Sequence, residues 1–131
     1  MNRRTAREDA VKLIYEMEMG GDGGEDTRFG VLEIDPNEEE ADYVERLYQG
    51  VTENVDQIDA ILSDHLTGWT IERISKVDLA VLRVAAYELK YVGLPASVVI
   101  NEAVEIVDRY STDKARAFVN GVLGALSRAE K

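Results

Sequence analysis

The sequence predicts an all-α protein: a compact bundle of six or seven helices forming a single domain over residues 1–131. Three observations lead there. Apolar residues recur at spacings of three and four along most of the chain, while strand-type alternation is nearly absent. Helix-starting and helix-stopping residues punctuate these runs. A chain of 131 residues, 45% hydrophobic and 31% charged, is long enough and apolar enough for one buried core.

Each element has its own signal. Ala6, Ala10, Leu13, Ile14 and Met17 mark the buried face of a first helix, which "GGDGG" at residues 20–24 stops. The stretch to Pro36 reads as a loop, with Phe29, Val31 and Leu32 as anchors. Asp35 is a cap for the next helix, with Pro36 in its first turn and three glutamates where the helix dipole favours anions. Tyr43, Leu47 and Val51 line that helix's inner face. "VDQIDAILSDHL" places Ile58, Ile61, Leu62 and either His65 or Leu66 on one side. "TGWTIERIS" is an irregular link anchored by Trp69. "KVDLAVLRVAAYELKYV" is apolar on nearly every face, as the central helix of a bundle must be, and "GLP" breaks it. Ser97 is read as the cap of "VVINEAVEIVDRY", with Val99, Ala103 and Ile106 facing in. "STDKARAFVNGVLGALSRAEK" starts on a second Ser/Thr/Asp cap and ends in basic and polar residues.

Composition excludes several classes of function. There are no cysteines, hence no disulfide framework, thiolate metal site or thiol nucleophile. No apolar run approaches the roughly 20 residues that span a bilayer, and the first segment lacks the apolar stretch of a secretory signal. The formal charge of −11 is unevenly spread. Between Glu16 and Glu45 twelve acidic residues face Arg28 alone, whereas Met1–Lys12 and Arg109–Lys131 are both net basic. Two basic ends flank an acidic middle, so whole-chain charge argues against a nucleic-acid partner more strongly than its distribution does.

At 100° per residue, Arg4, Arg7, Val11 and Tyr15 fall within an arc of about 80°, with Arg3 at its edge. The arginines and one aromatic are therefore expected to share an exposed strip beside the core face. Guanidinium groups pair with phosphate oxygens and a tyrosine ring stacks on an unpaired base, which suits single-stranded RNA. The plainer alternative is a solvated helix end with ordinary surface arginines, and the pattern alone favours it. "RYSTDKARAF" repeats the pairing with Arg109, Tyr110, Lys114 and Arg116 around a helix–helix turn, where charge compensation at a helix C-terminus is the plainer reading.

Elsewhere the chemistry is thin. His65 has no evident ligand partners, "GGDGG" lacks the Lys-Ser/Thr of a phosphate loop, and "EEEAD" reads as a solvated helix start. No metal, cofactor or catalytic constellation is expected. Asn101 and Asn120, in mostly apolar stretches, are expected to satisfy buried backbone groups at helix junctions.

Four blocks in order, "RRTAREDAVKLIY", "ISKVDLAVLRVAAYEL", "LPASVVINEAVEIVDRY" and "FVNGVLGAL", resemble the NusB family of transcription antitermination factors over nearly the whole chain. The resemblance implies a cytoplasmic, all-helical RNA-binding protein without catalytic activity or cofactor. It would bind boxA-type single-stranded RNA of ribosomal RNA leaders together with NusE, which is also a protein of the small ribosomal subunit. Within the transcription elongation complex it would promote read-through and ribosomal RNA synthesis. By the same resemblance, Arg3, Arg4 and Arg7 match the arginine-rich first helix and Tyr15 its aromatic. Tyr110, Lys114 and Arg116 match a second RNA-facing region. Asp78 matches an acidic position on the NusE side, expected to meet a basic partner residue. The acidic, glycine-rich "GGDGGEDTRFG" departs from that pattern and would repel RNA if folded over the basic strip, and the −11 background implies modest, salt-sensitive unassisted affinity.

Two rivals stand beside this reading. Ribosomal RNA cytosine methyltransferases carry a similar helical front domain, but they need an α/β cofactor domain and a cysteine, and this chain has no cysteine. A helical protein-interaction adaptor that binds no RNA is the other, with the arginines incidental. Exposed apolar positions suit a homodimer as well as a foreign partner.

Overall fold

The computed structural model describes residues 3–20 and 39–129. Among them lie six α-helices: α1 (Arg3–Glu18), α2 (Glu39–Glu53), α3 (Val55–Ser63), α4 (Lys76–Tyr87), α5 (Ala96–Tyr110) and α6 (Asp113–Ala129). A short 3-10 turn, Ile71–Arg73, precedes α4, and a π-helical turn, Glu88–Val92, extends it. The expected cap at Asp35–Pro36 and the anchors Phe29, Val31 and Leu32 lie outside the described residues.

The apolar run of α4 has the predicted consequence. Every residue from Asp78 to Tyr87 is buried, and α4 packs against each of the other five helices. One core results. It is built from Leu13 and Ile14 of α1, Leu47 and Val51 of α2, Ile58 and Leu62 of α3, Leu79 and Leu82 of α4, Val99 and Ile106 of α5, and Leu123 and Leu126 of α6. Burying each such side chain is worth about 1.5–3 kcal/mol. The inner faces expected for α1, α2 and α5 are those observed, except that Met17 is only partly buried; Ile61 of α3 is also only partly buried.

Caps and breakers act locally. The Ser75 hydroxyl accepts from the Asp78 backbone N–H at 3.2 Å and starts α4. The Thr112 hydroxyl accepts from the Ala115 N–H at 3.1 Å and starts α6. Ser97 is not the cap of α5, which begins one residue earlier at Ala96; Pro95 holds the cap position with φ −57° and ψ 134°. Gly93 adopts φ +78° to close the π turn, its N–H donating to the Glu88 carbonyl at 2.9 Å. Gly50 serves a different need. The Tyr87 ring lies directly on it, where a Cβ would overlap the ring carbons.

Two ionic networks tie the helices together. Arg83 of α4 donates to Asp59 of α3 at 2.9 and 2.8 Å and to Glu18 of α1 at 3.1 Å. Arg7 of α1 meets Glu88 at 2.9 Å in the interior, and the Tyr43 hydroxyl of α2 donates to the same carboxylate. Asn101 and Asn120 do not satisfy buried groups as expected. Both are exposed and face one groove between α5 and α6, because both positions point away from the centre of their helix's apolar stripe.

Candidate nucleic-acid interface

The first helix carries its basic residues in three directions. The Arg3 guanidinium lies over the Tyr43 ring of α2, 3.6 Å from the centroid. Arg4 donates to Glu102 of α5 at 2.7 Å while staying exposed. Arg7 is 5% exposed and belongs to the interior. The predicted strip is therefore corrected: Arg7 and Val11 are buried, because this arc of α1 is the seam on which α4 and α5 pack. Helical spacing placed the four residues together; it did not say which neighbour covers them.

Lys12 and Tyr15 do reach the surface, one turn further along, and meet the second basic segment there. Glu8 makes the join. Its carboxylate accepts from Arg109 Nη1 at 2.7 Å and from the Tyr110 hydroxyl at 3.2 Å, clasping the end of α5 against α1. Lys12 Nζ lies 5.4 Å from the Tyr110 ring centroid. Glu8, Val11, Lys12, Tyr15, Val77 and Tyr110 line a cavity of about 240 Å³. Burial pushes the neighbouring Asp9 carboxyl above its ordinary value and Glu8 adds to the rise, while Lys12 opposes it.

A second cavity, about 280 Å³, opens on the other side of the α5–α6 turn. Trp69 and Phe118 form its aromatic wall, ring centroids 5.4 Å apart, with Arg73 over the Trp69 ring. Lys114 and Thr112 lie at one side and Asp78 at another. Asp78 is buried, and its Oδ1 has no hydrogen-bond partner in the structure. A buried carboxylate oxygen left without a donor is costly.

Both cavities thus lie beside the start of α4, joined through Val77–Asp78 on one side and Tyr110–Thr112 on the other. Against this geometry, the NusB family profile matches residues 4–128. The chain belongs to the NusB family. The transcription antitermination protein NusB of Acetivibrio thermocellus is 41% identical over 132 residues, covering 99% of this chain and 91% of that protein. Its namesake from Clostridium botulinum (strain Kyoto / Type A2) is 37% identical over 142 residues, covering 96% and 99%. The fold agrees. T. maritima NusB superposes with a TM-score of 0.84 at 32% identity, covering 98% of this chain and 92% of that one. A chain in the crystal structure of antitermination factors NusB and NusE in complex with dsRNA gives 0.87 at 29% identity, covering 97% and 96%.

Within this NusB fold the expected site residues divide. Tyr15 and Tyr110 meet at one cavity, and Lys114 and Asp78 line the other. Arg3 and Arg4 lie exposed at the start of α1. Arg116 stands apart: two residues beyond Lys114 is 200° around α6, and its guanidinium pairs with Asp108 at 3.2 Å over the α5–α6 groove. Lys12, Arg73, Trp69 and Phe118 enter the site without having been singled out for it. Lys12 had a signal, three residues before Tyr15 and on its face. Trp69 and Phe118 lie 49 residues apart, and nothing local announces that they touch.

Proposed function

We propose that this protein is a transcription antitermination factor that binds boxA-type single-stranded ribosomal RNA leader RNA together with NusE, in the cytoplasm, and acts without catalysing a reaction. Membership of the NusB family supports the class of function. The observation that carries the RNA reading is the Glu8 clasp. It brings Lys12 and Tyr15 of α1 beside Tyr110 of α5, so that cations and ring faces from both ends of the chain share one surface.

The chemistry divides between phosphate and base. Arg3, Arg4, Lys12 and Lys114 are the exposed cations for the backbone, and Tyr15, Tyr110 and Trp69 offer faces to unpaired bases. A related chain was crystallised with NusE and double-stranded RNA; exposed rings beside cavities are usable by bases that have left a helix. NusE is assigned to the α4 side, where Asp78, in the lining of the second cavity, is the acidic residue expected to meet one of its cations. The acidic remainder of the surface limits non-specific adhesion to nucleic acid.

The test is a titration of labelled boxA-type RNA, single-stranded and duplex, with and without NusE, at several salt concentrations. Tighter single-strand binding that NusE enhances is the expected result. Binding of NusE with no RNA affinity under any condition would replace this reading by that of a protein-interaction adaptor.

A further inference from the structure

We propose that the cavity between Tyr15 and Tyr110 is a base-selective pocket in which the Glu8 carboxylate reads the N–H edge of a guanine. This rests on the RNA reading above and adds to it a choice among bases. Phosphate contacts hold a strand in place but carry no sequence information; selectivity has to come from groups that meet base edges.

The pocket has the parts such a reader needs. Tyr15 and Tyr110, 37% and 44% exposed, both line it. Val11 and Val77 make it apolar between them, and Lys12 supplies a cation at the Tyr110 ring. Its volume of about 240 Å³ is ample for one base. Glu8 supplies the carboxylate acceptor of this lining, and that side chain is nine-tenths buried.

The chemistry of Glu8 then selects the occupant. A carboxylate offers about four acceptor positions and no donor. Arg109 and the Tyr110 hydroxyl each take one, on different oxygens, which fixes the group in place and leaves acceptor capacity on both. A base must therefore bring donors. Guanine offers two adjacent ones, the ring N1–H and the exocyclic amine, matched to the two oxygens of a carboxylate. Adenine and cytosine offer a single amine, and uracil flanks its one N–H with carbonyls that a carboxylate repels.

The experiment uses the full chain and four heptameric oligoribonucleotides, all uridine except for a central guanosine, inosine, adenosine or cytidine. Inosine lacks only the exocyclic amine of guanosine. The guanosine heptamer is expected to bind roughly ten-fold more tightly than the inosine one, in line with a well-formed pair to a base edge. Glu8→Gln, which replaces one acceptor by a donor, should erase that gap. Tyr110→Phe should weaken all four heptamers yet keep their order, since it removes a ring hydroxyl and spares the carboxylate. Equal affinities for guanosine and inosine in the unmodified protein, or an unchanged gap in Glu8→Gln, overturn the proposal while leaving RNA binding intact. Failure of every heptamer and of boxA-type RNA to bind overturns the RNA reading and this inference together.

Discussion

Arg7 and Glu88 form an ion pair at 2.9 Å inside the protein, with 5% and 1% of the residues exposed. The pair joins α1 to the π turn after α4, and the Tyr43 hydroxyl adds α2 to the junction. An arginine from a run expected to face RNA is thus a structural member that holds the first helix in place. This and the neighbouring geometry lead to testable expectations.

Removing one partner strands the other charge in the interior. Arg7→Ala is expected to cost about 3–5 kcal/mol, the range for breaking a buried pair. Replacing both, Arg7→Met with Glu88→Met, should cost much less, because no unpaired charge remains. Chemical denaturation of Arg7→Ala, and of Arg7→Met, Glu88→Met and their double variant as a cycle, measures both effects. Additive losses would show that the pair is not coupled.

Tyr43 should titrate late. Burial, its hydrogen bond to Glu88 and the nearby carboxylate charge push its hydroxyl up to about 12. Above pH 10 the unfolded chain releases this proton and the folded one keeps it, so stability falls as pH rises from about 10 towards 12. Ultraviolet titration should show a late tyrosine ionisation, and Tyr43→Phe should remove that late step. At the acid end, Arg83 holds the Glu18 carboxyl below its ordinary value, with Lys76 contributing. That stability is present above the ordinary glutamate range and lost as pH falls through the lowered value, so Glu18→Gln should flatten the acid limb of a stability–pH curve.

Gly50→Ala should destabilise by about 1–3 kcal/mol, the usual cost of overpacking. The new methyl group would displace the Tyr87 ring, which stacks on Tyr91 at 5.2 Å. Thermal melts of Gly50→Ala and of Gly50→Ala with Tyr87→Ala distinguish this from a helix-propensity effect. In an ordinary helix the first substitution would stabilise.

RNA affinity should depend on salt with a shallow slope. If Arg3, Arg4, Lys12 and Lys114 each meet one phosphate, log K should fall against log[salt] with a slope of about −3, and Lys12→Ala should make it shallower by about 0.7. Arg4→Glu should weaken binding without unfolding the chain, whereas Arg7→Glu should do both, since it sets a carboxylate against Glu88. Binding titrations paired with circular dichroism separate the two arginines. Identical behaviour would contradict their assignment to surface and interior.

Much of the fold was legible beforehand, and for stated reasons. Periodicity identifies a buried face because helical geometry repeats it every few residues, so Ala6, Leu13, Leu47 and Val99 were found where expected. The α4 run could only be central, since no solvent-facing helix is apolar all round. Ordered blocks along the chain carried the family. The candidate site was legible only in part. Tyr15, Tyr110 and Lys114 were readable as exposed residues near basic ones, but Trp69 and Phe118, or Glu8 and Arg109, meet only after the chain has folded.

Taken alone, the amino-acid order determined the class of fold, the inward faces and the location of positive charge at the two ends. Only the tertiary arrangement decided which charges are spent inside. Arg4 and Arg7 stand three residues apart on one helix, yet one pairs at the surface with Glu102 and the other is enclosed with Glu88. The reason is that a helix sets the angle of each side chain from local geometry, whereas exposure depends on which distant segment packs against that angle, and this is a property of the whole core.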